Sequence, residues 1–344
     1  RCMKFSKRLS ILLSAAVLTV GLQSVAKADK WTIQTSMPAG SFIFKHLDSW
    51  TPKLKTLTEG RIDIQLVGGG AVVPHTQTID AVGQDILQGD YTATVYFGGR
   101  DKAFAVLGDL ISAYDSVWQQ FAYCYQGGGL AMFQKVFDKY TDSTVKVVGC
   151  SPYARESFTS TIPIKGVADL KGVKLRSPEG LAAEVFKRAG ANPVGLPASE
   201  VITSLQKGVI QAADYSSYTE DKSVGNHDIA KFPIYPGIHS MPTLQLTVNQ
   251  ARYDALSAAD KIAIDLWYRA QVVDLMQQLE LSDKELVAKD KANSDLTIID
   301  WPQAERDKLR KIAEGAWKDY AASSPLATEA FQSIQAYLKR AGML

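Results

Sequence analysis

Short apolar strands alternate with amphipathic helices along most of this chain, and that alternation limits its possible folds more than any other feature. "WTIQTS" (31–36) reads as a strand and is followed by the breaker run "MPAGS". An amphipathic helix over about Phe42 to Leu57 comes next, ended by Gly60. "RIDIQLV" (61–67) alternates polar and apolar residues with the period of a strand before "GGG" (68–70) breaks it. Helix signals resume around Thr76 to Val82, and "YTATVYF" (91–97) is another strand pattern. Strand, helix and strand in this rhythm predict parallel sheet with helices packed on it.

The rhythm returns in the second half. "VKVVG" (145–149), "ESFTST" (156–161), "GVKLRS" (172–177), "VIQAADY" (209–215), "TLQLTVN" (243–249) and "LTIID" (296–300) read as strands. "PEGLAAEVFKRAG" (178–190) is a helix with Pro near its start and Gly past its end. "SEVITSLQKG" (199–208) is a shorter helix with Ser199 as N-cap and Gly208 as stop. A long helical pattern covers Ser257 to about Ala292, and two further helices close the chain. No Pro/Gly linker divides it, which predicts two α/β lobes that exchange segments, with the long helix as a bridge. The glycines at 68–70 lack the GxGxxG spacing and read as a turn.

Residues 1–28 read as a secretory signal. Met3, Lys4, Lys7 and Arg8 form a basic start, Ile11 to Leu22 an apolar run, and Ala26-Lys27-Ala28 a cleavage site after Ala28. The apolar run is shorter than the ~20 residues a membrane span needs. Removing this segment takes five of the 38 basic residues and none of the 36 acidic ones. The remainder is slightly acidic, which argues against a nucleic-acid footprint. An exported, periplasmic protein is expected. Cys124 and Cys150 are either a disulfide or two small buried hydrophobes.

Enzyme signatures are absent. The four histidines (46, 75, 227, 239) form no HExxH, and no CxxC, GxSxG or Walker loop occurs. Polar residues at strand ends stand out instead, where open α/β sheets bind ligands. Arg176 ends "GVKLRS"; Arg155 in "SPYARESFTS" and Tyr215 in "AADYSSYT" occupy comparable places. Arg offers a planar fork matched to a carboxylate. The alternative for Arg176 is a surface pair with Glu179, and for Arg155 one with Glu156.

The stretch 169–215 resembles the signature region of TRAP-transporter substrate-binding proteins, the DctP-like family. Leu170, Lys171, Gly172, Lys174, Arg176, Gly190, Ala191, Pro193, Val194, Pro197, Glu200, Val201, Leu205, Gln206 and Gly208 stand in register with its pattern. "GGGAVVPHTQTIDAVGQ" (68–84) and the order of elements are similar as well, and "YPGIHSMPTLQLTVN" (235–249) resembles the branch that binds 2-oxo acids and lactate. The resemblance implies a two-lobed periplasmic binding protein of Venus-flytrap form, with a mixed sheet in each lobe. On that basis residues 29–150 form mainly lobe 1 and 151–245 mainly lobe 2, with 246–344 contributing to both. It implies a non-enzyme that captures a small organic anion between the lobes and delivers it to ion-gradient-driven TRAP permease subunits. A periplasmic ligand sensor using the same cleft, or a secreted hydrolase, are the rival readings. Arg176 takes the place of the family's carboxylate anchor. Arg155, Tyr215, Asp214, His239, Phe97, Phe42 and Ser36 are the further candidates for the cleft. No cofactor is implied except a metal ion beside the ligand, held by Asp214 and the Tyr215 backbone. A monomer is the default, with a dimer as the alternative.

Overall fold

A computed structural model describes residues 29–293 and 295–343. The expected signal segment lies outside the described residues. Nine strands form two mixed sheets. The first contains β1 (Asp29–Thr35), β2 (Ile62–Val67), β3 (Gly89–Ala93), β4 (Val145–Pro152) and β9 (Thr243–Asn249), in the order β2-β1-β3-β9-β4. β1 runs parallel to β2 and β3, and β9 is antiparallel to both its neighbours. The second sheet contains β5 (Phe158–Ser160), β6 (Lys174–Arg176), β7 (Asn192–Val194) and β8 (Ala212–Asp214), in the order β5-β8-β6-β7. Here β6 is parallel to β7 and β8, and β5 is antiparallel to β8.

The chain crosses between the sheets twice, from β4 to β5 through residues 153–157 and from β8 back to β9 through residues 215–242. The two crossings are pinned together where the Glu156 N–H donates to Ser240 O at 3.0 Å. Three helices then tie the sheets together. The helix Ala258–Asn293 spans 36 residues, about 54 Å at 1.5 Å per residue. At one end its Tyr268 hydroxyl donates to Leu244 O and accepts from the Ser151 N–H. Further along, Asp283 and Asp290 accept from Thr219 and Tyr218 of the helix Tyr218–Ser223. The helix Gln303–Ala321 packs on the helices Leu181–Arg188 and Lys102–Gly108, and Pro325–Arg340 packs on Lys102–Gly108 as well.

Several elements depart from the sequence expectation. "TLQLTVN" alternates, yet all seven residues of β9 are buried. As an inner strand covered on both faces it must satisfy its polar side chains internally. Thr247 Oγ1 and Gln245 Nε2 donate to Asp90 on β3, Thr78 Oγ1 donates to Asp90 from the other side, and Thr94 donates to Gln245. "YTATVYF" is strand only to Ala93; Thr94–Phe97 coils into a 3-10 turn. "LTIID" forms no strand, since only Ile299 bridges, to Ile234. Ser199 caps no helix: it sits inside a 3-10 turn, Ala198–Glu200, that runs directly into the helix Val201–Gln206. Cys124 and Cys150 form a disulfide between the helix Val117–Gln126 and β4.

Candidate functional site

β1, β3, β6 and β8 all aim their carboxyl ends at one cavity between the sheets. Ser36 and Met37 follow β1; Ala93 ends β3, with Val95 and Tyr96 after it; Arg176 ends β6, with Pro178 and Leu181 after it; Asp214 ends β8, with Tyr215 after it. Tyr153, Glu156 and Ser240 of the crossing segments complete the wall. The cavity measures about 40 Å³, room for about three water-sized groups.

Arg176 dominates its electrostatics. The side chain is 1% exposed. Its Nε donates to Leu196 O at 2.9 Å and its Nη1 to Asp214 O at 2.5 Å. These carbonyls hold the fork in one orientation, while Nη2 is buried and has no hydrogen-bond partner. Burial works against the charge, but Tyr96, Asp214 and Glu156 outweigh it and raise the pKa. Ser36 Oγ is likewise buried and unpartnered at this cavity, whereas Asp214 Oδ1 faces His239 Nε2 at 3.0 Å. A buried polar atom left unpaired costs about 1–3 kcal/mol, so Arg176 Nη2 and Ser36 Oγ at one small space mark a place built for a polar guest.

Carboxyl groups cluster opposite the arginine. Glu156, Asp214 and His239 are buried and bring one ligand atom each within 4.8 Å of one another. His239 Nε2 lies 3.0 Å from Asp214 Oδ1, without hydrogen-bond alignment. Burial works to raise the pKa of Asp214, but His239, Glu156 and Arg176 hold it down at about 2. Burial and the neighbouring Asp214 charge push Glu156 well up, although Tyr153 donates to it at 2.6 Å. Burial pushes Asp109 up to about 7 against the Ser240 hydroxyl that donates to it. One firmly ionised acid therefore stands beside two that resist ionising. Oxygen donors in such a set suit a hard cation.

The sequence candidates separate. Arg176, Asp214, Tyr215 and Ser36 line the cavity together, with His239 behind Asp214. Tyr215 also packs on Val201, Leu205 and Ile210. Arg155 does not join Arg176. It is adjacent to Glu156 in an extended crossing segment, where successive side chains point to opposite sides; Glu156 enters the cavity and Arg155 leaves it to donate to Asp115 O. The Arg155–Glu156 surface pair is thus absent as well. Phe97 packs against Phe104 and Phe137 in the core, because the 3-10 turn rotates it away and presents Tyr96 instead. Phe42 begins the helix Phe42–Leu57 and packs on the core outside the cavity. Just beyond it, Glu220 Oε2 accepts the free Ile43 N–H at 2.9 Å, a carboxylate from the second sheet's side at a helix N-terminus. The glycine run does turn beside the cleft: Gly69 donates to Met37 O, and a Cβ there would lie 2.8 Å from Ser36 O. Glu156, Tyr153, Tyr96 and Ser240 were not among the candidates; Tyr96 and Glu156 fell inside stretches read as strands that are a 3-10 turn and a crossing segment here.

A family model described as bacterial extracellular solute-binding protein, family 7 (DctP), matches residues 33–324. The chain belongs to this family. Among DctP relatives, a monocarboxylate 2-oxoacid-binding periplasmic protein of Nostoc is 32% identical over 228 residues, 66% of this chain and 62% of that protein. The chain thus aligns with less than two thirds of that relative's length. A TRAP periplasmic solute-binding protein of Rhodobacter sphaeroides, solved as an apo open structure, is 37% identical with a TM-score of 0.73, covering 92% of this chain and 99% of that one. One from Colwellia psychrerythraea, with bound calcium and pyruvate, shares the DctP fold at 22% identity and a TM-score of 0.79, covering 91% and 95%. Among the described residues no helix is long and apolar enough to cross a membrane.

Proposed function

We propose that this protein binds a small 2-oxo or 2-hydroxy monocarboxylate in the periplasm and delivers it, chemically unchanged, to an ion-gradient-driven TRAP permease. The buried, unpaired Arg176 Nη2 and Ser36 Oγ, with the ionised Asp214 beside them at one small cavity, carry the reading. The carboxylate takes the free edge of the guanidinium fork, a charge-assisted bond in a low-dielectric site. A cavity of about 40 Å³ favours acids of a few heavy atoms over sugar acids or aromatic acids. The binding of 2-oxo acids by the Nostoc relative and of pyruvate by the Colwellia protein supports this class.

Asp214 and Glu156, with the Tyr215 backbone, would hold a hard cation, which would supply positive charge for the oxo or hydroxyl oxygen of such an acid. Arg176 orients the guest, Tyr153 holds Glu156, and Tyr96 and Met37 cover it as the sheets close about the crossing segments. The test is calorimetry on residues 29–344 with pyruvate and longer 2-oxo acids, with calcium or with chelator, followed by recovery of the ligand. Tight binding of short acids and intact ligand are expected. Turnover of the acid, or preference for a larger acid, overturns the proposal.

A further inference from the structure

Arg155 leaves the solute cavity and enters a second one. This pocket, about 230 Å³, opens behind the crossing segments. Its walls are the Ser112–Asp115 loop, residues 237–241, and the first turns of the helix Gln303–Ala321. Three guanidinium groups line it: Arg155, Arg306 and Arg310.

Their counter-charges are unevenly shared. Arg310 pairs with Asp115 at 3.2 Å and Arg306 with Asp300 at 3.0 Å, and both acids are about two-thirds exposed. Asp307 also reaches the pocket, but it is exposed and accepts from the Gln303 amide. Arg306 further donates to the Gly237 and Pro236 carbonyls, which fixes its plane. Arg155 is half-buried and no carboxylate lies within 4.0 Å of it among the described residues; its recorded partner is the Asp115 carbonyl. Burial and the nearby charge of Arg306 both work against its protonated form. A desolvated cation beside another cation is costly unless an anion shares the space.

We propose that this pocket is a second anion site, taking a small free oxyanion of the phosphate or sulfate class on Arg155, with Arg306 and Arg310 as flanking donors. Planar forks from three directions suit a tetrahedral oxyanion better than the single carboxylate of the solute site. The site is separate from the solute cavity, and residues 237–241 form the partition.

The test uses residues 29–344 and inorganic phosphate, with sodium chloride at matched ionic strength as control. Phosphate should raise the unfolding midpoint saturably, by about 1–3 °C at tenfold excess over its dissociation constant, where chloride does not. Arg155→Gln should weaken the half-saturating phosphate concentration at least about tenfold, read against that variant's own midpoint. Arg310→Gln should shift it in the same direction and carries the test if Arg155→Gln does not fold. Arg176→Ala should leave the phosphate response intact. An equal response to chloride, a response retained in both pocket variants, or one lost in Arg176→Ala would each overturn the site, the last by placing the anion in the solute cavity.

Discussion

Replacing Arg176 by Ala removes a buried cation that lines the proposed solute cavity and has an unpaired donor. The side chain is buried, and two of its donors are committed to Leu196 O and Asp214 O. Only the remaining edge is available to a guest. Truncating one member of a buried, hydrogen-bonded charge pair costs about 2–5 kcal/mol. At about 1.4 kcal/mol per tenfold, affinity for a short 2-oxo acid should fall roughly 30-fold to several thousand-fold. Arg176→Lys keeps the charge but cannot reach both carbonyls and the ligand in one plane, so a loss of at least about tenfold is expected. The Ala variant also forfeits two charge-assisted bonds to carbonyls, about 1.5–3 kcal/mol each, so its fold must be checked by circular dichroism before titration. Isothermal calorimetry with pyruvate reads the result. If both folded variants bind within about threefold of the unaltered chain, a difference of under about 0.7 kcal/mol, the anchor is misassigned.

Chelation should weaken pyruvate binding at least about tenfold, and Asp214→Asn should make binding insensitive to chelator; a chelator effect that persists in that variant removes Asp214 from the cation site. Burial pushes Asp90 up to about 6 from 3.8, so the unfolded chain ionises first and stability attributable to this residue should fall as pH rises from about 4 to about 6. Denaturant titrations should therefore show the unaltered chain losing ground to Asp90→Asn across that window and holding level with it above, whereas a constant gap would contradict the linkage. The Cys124–Cys150 bond closes a separation of 26 residues, worth about 3.5 kcal/mol by chain entropy; a paired Cys→Ser variant that unfolds at an unchanged denaturant midpoint would show the bond to be dispensable. Gly237→Ala would place a Cβ 1.7 Å from Glu156 O, so it should spread the crossing segments and weaken pyruvate binding as well as stability, and wild-type affinity in that variant would show the segments to be uncoupled.

Regular elements were readable where periodicity is local. The helix at 42–57 and the strand at 243–249 appear where their patterns placed them. A guanidinium at the end of an apolar strand drew attention to Arg176, but the family resemblance rather than local physics made it the main candidate. Asp214, Tyr215 and Ser36 were named as well, but Tyr96, Tyr153, Glu156 and Ser240 were not, because they come from connections between the strands. In 153–157 the sequence offers Arg155 and Glu156 side by side, and nothing local says which faces inward; the pairing of Glu156 with Ser240, 84 positions away in sequence, decides it. The same limit misled the reading of Phe97, since a strand and a 3-10 turn of the same residues present opposite faces. Asp90 shows it for the core, as its partners Thr78, Gln245 and Thr247 come from two distant elements.

The crossing segments carry Tyr153, Glu156 and Ser240, so part of the cavity wall is also backbone that joins the two sheets. That places two selective pressures on the same few residues. A substitution there that retunes ligand preference also alters how the halves move. Diversification toward new solutes is therefore freest on the opposite wall, at Met37, Ala93 and Val95, where a side chain can change size without touching the joint. A library confined to those three positions should yield altered acid preference at a far higher rate than one of equal size built on the joint.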